Sequence, residues 1–192
     1  RNVYDEFTFY RYRGGLNEEV RWPEHPEGRF TRRTSRGGFR EDFDELPEKR
    51  DFLVVVAGDS QTDGLCGNSE SFSNLAEARL SGLHPGSTIE VLNAGMVGYS
   101  FYNYLGTLRK LADSRPDVFV VAFYSGNDFK DLIVPWHYFH RSSPPLASPE
   151  YTAKLKEAIR ISGSATAMAL NRILYFKYEP EEARIALGAA IE

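Results

Sequence analysis

The chain has 192 residues, of which 42% are hydrophobic and 26% charged, and its formal net charge is −4. This composition is typical of a globular domain with a sizeable core, and the acidic balance argues against a nucleic-acid partner. The single cysteine, Cys66, excludes an internal disulfide, and the longest apolar run, residues 118–124, is too short to cross a bilayer. We therefore expect no membrane insertion of this segment, while a cytoplasmic and a periplasmic or secreted location both stay open.

Residues 1–50 are predicted to be an N-terminal extension that packs on a main domain of residues 51–192. Alternation over residues 7–12 predicts a strand or hairpin, with turns at Gly14-Gly15 and Gly37-Gly38. Five arginines cluster towards the end of the extension, and four acidic residues follow them at once. This pattern favours a solvated, self-compensating surface over a site for an anionic partner. The arginines are Arg29, Arg32, Arg33, Arg36 and Arg40.

The main domain begins with a continuous apolar run at residues 52–57, which predicts a strand buried on both faces. Helical spacing of apolar residues follows at 69–83, with Ser69 as the expected N-cap, and a second short strand is predicted at 88–92. A second amphipathic helix ends before Pro116, and residues 117–124 predict a third buried strand. The expected apolar stripes are Phe72, Leu75, Ala76, Leu80 and Leu83 on the first helix, and Phe101, Tyr104, Leu105, Leu108, Leu111 and Ala112 on the second.

Strands that alternate with helices predict an α/β fold, with a parallel sheet in a three-layer α/β/α arrangement. The signal weakens after residue 128. A proline-rich loop is expected at 130–150, and helices at 151–161, at 165–174 and from Pro180 onwards. No fourth or fifth buried strand is recognisable, so we expect the C-terminal strands of the sheet to be missing from this chain.

Each predicted strand ends in small and polar residues. In an open α/β sheet the carboxyl ends of the strands form the ligand-binding crevice. The first strand leads to Ser60, the second to a glycine-rich stretch that includes Gly98, and the third to Asn127. A hydroxyl nucleophile, backbone amides and a carboxamide at one crevice are the groups that acyl transfer requires.

The three segments resemble blocks I, II and III of the SGNH (GDSL-type esterase and lipase) hydrolases, in order and in spacing. Gly58-Asp59-Ser60, with Thr62 and Gly64, matches the GDSxTxG form of block I. Residues 93–98 resemble block II, and Gly126-Asn127-Asp128 resembles the GND form of block III. The resemblance covers about residues 52 to 128. A weaker one links residues 36–40 to the segment before block I in a bacterial subgroup of the family.

The resemblance implies that Ser60 is the nucleophile. It also implies three oxyanion donors, namely the backbone N–H groups of Ser60 and Gly98 and the side chain of Asn127. Asp59 and Asp128 are expected to support the site, and no cofactor or metal is expected. By resemblance the strand order is 2-1-3, as in an SGNH or flavodoxin-like sheet, which leaves the third strand at an edge.

The chain departs from the family pattern at the catalytic base. SGNH enzymes carry a late Asp-x-x-His block, and none of His25, His84, His137 and His140 has an aspartate three residues before it. We therefore expect the base and the missing strands to come from later residues, a cleaved second chain or a partner. The isolated segment is then expected to be inactive and poorly soluble or oligomeric.

The leading hypothesis is a hydrolase that cleaves an acyl or acetyl ester, of a small molecule, carbohydrate or lipid, through an acyl-enzyme. One alternative is an O-acyltransferase that uses the same site. Another is a catalytically silent binding module that has kept the fold. An esterase assay with and without a saccharide acceptor separates the two enzymes, and covalent modification of Ser60 separates both from the silent module.

Overall fold

A computed structural model describes residues 2–132 of the protein, except for the side chains of residues 129 and 130. The chain divides into two units after Asp128, and every strand of the described residues belongs to the first. The elements are β1 (Asn2–Asp5), β2 (Phe9–Tyr12), β3 (Asn17–Arg21), β4 (Arg29–Arg33), β5 (Phe52–Gly58), α1 (Ser60–Asp63), α2 (Phe72–Leu83), β6 (Ile89–Asn93), α3 (Phe101–Leu111), β7 (Val118–Ala122) and α4 (Asp128–Asp131). Short 3₁₀ turns lie at Asn68–Glu70 and Ala112–Ser114. The loop and helices expected after residue 132 lie outside the described residues.

A parallel three-stranded sheet is the centre of the first unit. Its strand order is β6-β5-β7, with β5 hydrogen-bonded to both neighbours. The prediction of a parallel α/β sheet with the second and third strands on either side of the first is confirmed. In such a sheet the carboxyl ends of all three strands meet at one edge.

The side chains of β5 alternate between two hydrophobic layers, as its apolar run requires. Leu53 and Val55 pack with Leu111 of α3, whereas Val54 and Val56 pack with Leu80 of α2. The two helices therefore cover opposite faces of the sheet. None of the helices within residues 2–132 is long and apolar enough to cross a membrane.

The helix predicted at 69–83 is present, but its cap and its buried face differ from the expectation. Ser71, not Ser69, caps α2, and its side chain accepts a hydrogen bond from Asn74 N. The helix starts later because residues 68–70 form a 3₁₀ turn. Leu75 of the expected stripe is 56% exposed, whereas Ser73 is fully buried, because α2 packs on the sheet through the side that carries Leu80. Phe72 and Leu83 are exposed as well.

The strand predicted at 117–124 is present as β7, but the prediction that it is buried is wrong. Val118 and Val121 are 41% and 43% exposed. Among the described residues β7 pairs with β5 alone, so no strand of residues 2–132 occupies its other edge. Parallel strands are usually buried on both faces, which makes this edge unusual.

The first fifty residues contribute two hairpins, formed by β1 with β2 and by β3 with β4. The first hairpin lies against α3, where Asn103 Nδ2 donates to the carbonyl of Thr8 at 2.7 Å. A Cβ atom on Gly106 would lie 2.0 Å from the carbonyl oxygen of Phe7, so α3 needs a glycine at this contact. The extension therefore buries a polar and glycine face of α3, while Leu108 and Ala112 of the expected apolar stripe are exposed.

Candidate active site

β5 ends at Gly58, Asp59 follows it, and Ser60 is the first residue of α1. The Asp59 side chain caps α1 by accepting a hydrogen bond from Gln61 N at 2.9 Å. Asp59 is buried, and Ser60 is partly exposed at the carboxyl edge of the sheet. The cap fixes the direction in which the chain leaves the strand, and hence the place of Ser60.

Thr62 packs between two glycines, one from each of the first two motif segments. A Cβ atom on Gly58 would lie 1.9 Å from Thr62 Oγ1, and one on Gly95 would lie 2.6 Å from Thr62 Cβ. Both separations are too short for any side chain. Gly58 and Thr62 of the first segment and Gly95 of the second therefore meet in one close contact. This contact packs α1 against the loop after β6.

The change Gly95→Ala is expected to destabilise the fold. Its Cβ would also lie 2.5 Å from Asp63 N, a backbone atom that cannot rotate away. We expect the free energy of unfolding to fall by about 3 kcal/mol, in the upper range for overpacking. Urea denaturation measures this change. Gly82→Ala in α2 is the matched control, because its Cβ would meet nothing within 4 Å, and equal stability of the two variants would contradict the prediction.

The loop after β6 is joined to the end of β5 by backbone and side-chain hydrogen bonds. Met96 N donates to the carbonyl of Gly58 at 3.1 Å. The buried Asn93 side chain accepts from Gly95 N at 3.0 Å and donates to the carbonyl of Thr62 at 3.0 Å. One carboxamide therefore connects the turn that carries Ser60 with the loop that carries Gly98.

Gly98 has φ +80°, a conformation that glycine adopts readily and other residues rarely. A Cβ atom on Gly98 would lie 2.7 Å from the hydroxyl oxygen of Tyr10, so the loop approaches the extension closely here. The Tyr10 hydroxyl donates to the carbonyl of Val97 at 3.0 Å, and the Tyr99 hydroxyl donates to the carbonyl of Tyr10 at 2.7 Å. The extension thus holds this loop from outside the sheet.

Asn127 lies in the turn after β7, and the neighbouring Asp128 holds that turn in place. The fully buried Asp128 carboxylate accepts from Tyr124 N at 2.7 Å and from the hydroxyl of Tyr104 at 2.6 Å. Tyr104 belongs to α3, which starts shortly after Gly98. The turn that carries Asn127 is therefore tied to the element that follows the second segment.

All three candidate residues lie at the carboxyl edge of the sheet, each after a different strand. Ser60 follows the central strand, and Gly98 and Asn127 follow its two neighbours. This edge offers a hydroxyl, a glycine backbone and a carboxamide on turns that buried hydrogen bonds hold together. Such a set can attack a carbonyl and stabilise negative charge on its oxygen.

The described residues include two histidines, and neither contacts Ser60. His25 Nε2 lies 3.2 Å from a carboxylate oxygen of Glu70. His84 ends α2 just before β6, at the opposite edge of the sheet. His137 and His140 lie outside the described residues. Within residues 2–132, no three side chains of His, Cys, Asp or Glu form a group that could hold a metal ion.

The arginine cluster is not entirely a solvated surface, and this part of the prediction is wrong. Arg33 and Arg36 are exposed and paired with Asp42 and Glu45, two of the acidic residues that follow the cluster, as expected. Arg32 and Arg40, however, are buried, and both guanidinium groups bind the carboxylate of Asp63 in α1. The residue alternation of β4 could have indicated this for Arg32, because Arg32 lies on the same face of that strand as the buried Phe30.

Glu41 follows Arg40 and contacts the second motif segment. Its two carboxyl oxygens accept from Asn93 N at 2.6 Å and from Asn74 Nδ2 at 3.2 Å. Burial raises the pKa of Glu41 from 4.5 to about 8. The negative charges of Glu77 and Asp42 also raise this pKa, whereas the two hydrogen bonds lower it. The Glu41 side chain is therefore protonated at neutral pH.

The free energy of unfolding should depend on pH through the protonation of the Glu41 carboxyl group. The folded chain holds this proton up to about pH 8, whereas the unfolded chain loses it near the ordinary value of 4.5. Stability from this group is thus present at low pH and lost as the pH rises through this window, by up to about 1.4 kcal/mol per pH unit. Urea denaturation across the window should show that Glu41→Gln lacks this part of the pH dependence. Parallel pH profiles for the variant and the wild type would contradict the assignment.

No family model, no curated protein and no solved structure matches this chain.

Proposed function

We propose that the chain carries the nucleophile and the oxyanion donors of an SGNH-type serine hydrolase that cleaves an ester. One observation carries the proposal. Ser60, Gly98 and Asn127 follow three neighbouring parallel strands at one edge of the sheet, on turns that are joined by buried hydrogen bonds. Any one of these motifs alone is common as a turn, whereas all three at adjacent strand ends make a coherent site for acyl transfer.

In the proposed mechanism, Ser60 Oγ attacks the ester carbonyl and transfers its proton to a histidine base outside the described residues. The carbonyl oxygen becomes an oxyanion, which accepts hydrogen bonds from the N–H groups of Ser60 and Gly98 and from the Asn127 amide. Collapse of the tetrahedral intermediate expels the alcohol, which takes the proton from the base. Water then attacks the acyl-enzyme and gives a proton to the same base. Collapse of the second tetrahedral intermediate returns that proton to Ser60 Oγ and releases the acid.

The packing around Ser60 supports this role. A nucleophile of this kind must be held rigidly and yet be accessible. Ser60 is partly exposed, whereas Asp59, Thr62 and Asp63 around it are buried. The short turn is thus anchored on both sides, while Ser60 stays accessible beside the exposed Gln61.

Fluorophosphonate labelling of the full-length protein tests the proposal. The probe phosphonylates an activated serine, and peptide mass spectrometry should locate it on Ser60. The exposed Ser69, a few residues away, is the internal control and should stay unmodified. Absence of label on Ser60 in folded protein would favour the silent binding module instead.

A further inference from the structure

We propose that Arg40 is a positioning residue for Ser60, and that it acts by binding the end of the turn that carries the nucleophile. The inference rests on the proposed function. Arg40 lies in the extension, far from Ser60 in sequence, and its side chain is fully buried.

The guanidinium of Arg40 makes five hydrogen bonds, all to residues that follow Ser60. Nη1 donates to the carbonyl of Asp63 at 2.7 Å, to its carboxylate at 3.2 Å and to the carbonyl of Gly64 at 3.2 Å. Nη2 donates to the carbonyl of Cys66 at 2.8 Å, and Nε to Asn68 Oδ1 at 3.0 Å. The planar guanidinium group therefore holds residues 63–64, 66 and 68 of one loop at fixed separations.

The turn needs this support because α1 has only four residues. A single helical turn is not stable by itself, so tertiary contacts decide where it lies. Asp59 caps its beginning, and at its end Asp63 is bound by Arg40, by Arg32 Nη2 at 3.4 Å and by the hydroxyl of Tyr12 at 3.2 Å. Ser60 lies between these two anchors.

Arg40 also belongs to the connection between the first two motif segments. Its backbone N–H donates to the carbonyl of Asn93 at 3.1 Å, and the next residue, Glu41, accepts from Asn93 N. Its side chain thus binds the loop after Ser60 while its backbone binds the strand that leads to Gly98. Loss of the side-chain contacts should let Ser60 shift relative to the oxyanion donors, and a misplacement of about 1 Å can slow a reaction about 100-fold.

The experiment compares Arg40→Lys with the wild type in the full-length protein. Lysine keeps the charge but loses the planar fork, so it cannot bind Asn68 and Cys66 at once. We expect fluorophosphonate labelling of Ser60 to slow about 10- to 100-fold, and kcat for an aryl ester to fall by a similar factor with little change in KM. Circular dichroism and a thermal melt confirm that the measurements are made on folded protein. Arg36→Lys is the matched control, because Arg36 is an exposed arginine of the same cluster, and it should label at the wild-type rate.

Folded Arg40→Lys with wild-type labelling and kcat would overturn the inference and leave Arg40 a purely structural residue. If this variant does not fold, Arg40→Gln replaces it, since the shorter neutral amide cannot span the carbonyls of Asp63 and Cys66 and the side chain of Asn68. Unchanged labelling of folded Arg40→Gln would then overturn the inference. Failure of the wild type to label at all is a different result, because it removes the proposed function and this inference with it.

Discussion

Replacing Ser60 with alanine should abolish ester turnover in the full-length protein and leave its stability almost unchanged. Loss of the nucleophile from a serine hydrolase lowers kcat by about 10⁶-fold, which leaves only the residual effect of oxyanion donors and substrate binding. Stability should be preserved because the side chain is small and partly exposed. Moreover, no side chain within residues 2–132 is hydrogen-bonded to the Ser60 hydroxyl.

Steady-state kinetics with an aryl ester and a thermal melt measure the two sides of this prediction. Ser69→Ala is the matched control, because Ser69 is an exposed serine of the neighbouring 3₁₀ turn. Its kcat and melting temperature should equal those of the wild type. Turnover by Ser60→Ala near the wild-type rate would remove Ser60 from the mechanism.

Asn127→Ala should lower kcat about 10²–10³-fold, the usual cost of losing one oxyanion donor, equivalent to about 3–4 kcal/mol. KM should change much less, because the hydrogen bond to the carbonyl oxygen strengthens as that oxygen becomes an anion. The turn itself should survive, because alanine keeps the backbone bonds to the Tyr124 carbonyl, and the Asp128 carboxylate still accepts from Tyr124 N.

Separate measurement of kcat and KM decides the role of Asn127. Asn17→Ala, a change at an exposed position of β3, controls for the loss of a carboxamide elsewhere. An effect on KM alone would make Asn127 a ground-state binding residue.

Local patterns in the sequence were sufficient to predict a parallel sheet, and the family resemblance supplied the order of its strands. The apolar run that became β5 has no polar residue to face water, which predicted a strand buried on both faces, and the intervening helices predicted that the strands are parallel. The positions of Ser60, Gly98 and Asn127 at one edge are a consequence of that topology. Whether they act together in catalysis is the part that stays a prediction.

Helix faces were harder to predict, because they depend on which neighbour each helix meets. The apolar residues of α2 suggested a buried stripe, yet Leu75 is exposed, since the helix turns the side with Ser73 and Leu80 towards the sheet. In α3, Asn103 and Gly106 are buried because the first hairpin of the extension lies on them. Neither result can be read from the period of one helix.

Hydrophobic pattern and chain connectivity were enough to predict the parallel α/β sheet and the edge at which the candidate residues lie, whereas the order of the strands was expected from the family resemblance. That Arg32 and Arg40 leave the solvated cluster and bind Asp63, in the same short helix as Ser60, became clear only from the fold. The alternation of β4 could have indicated the burial of Arg32, but no local pattern marks Arg40, since its carboxylate partner Asp63 lies more than twenty residues further along the chain. That partner is supplied by the fold, which is why the positioning role proposed for Arg40 emerged from the structure and not from the motif.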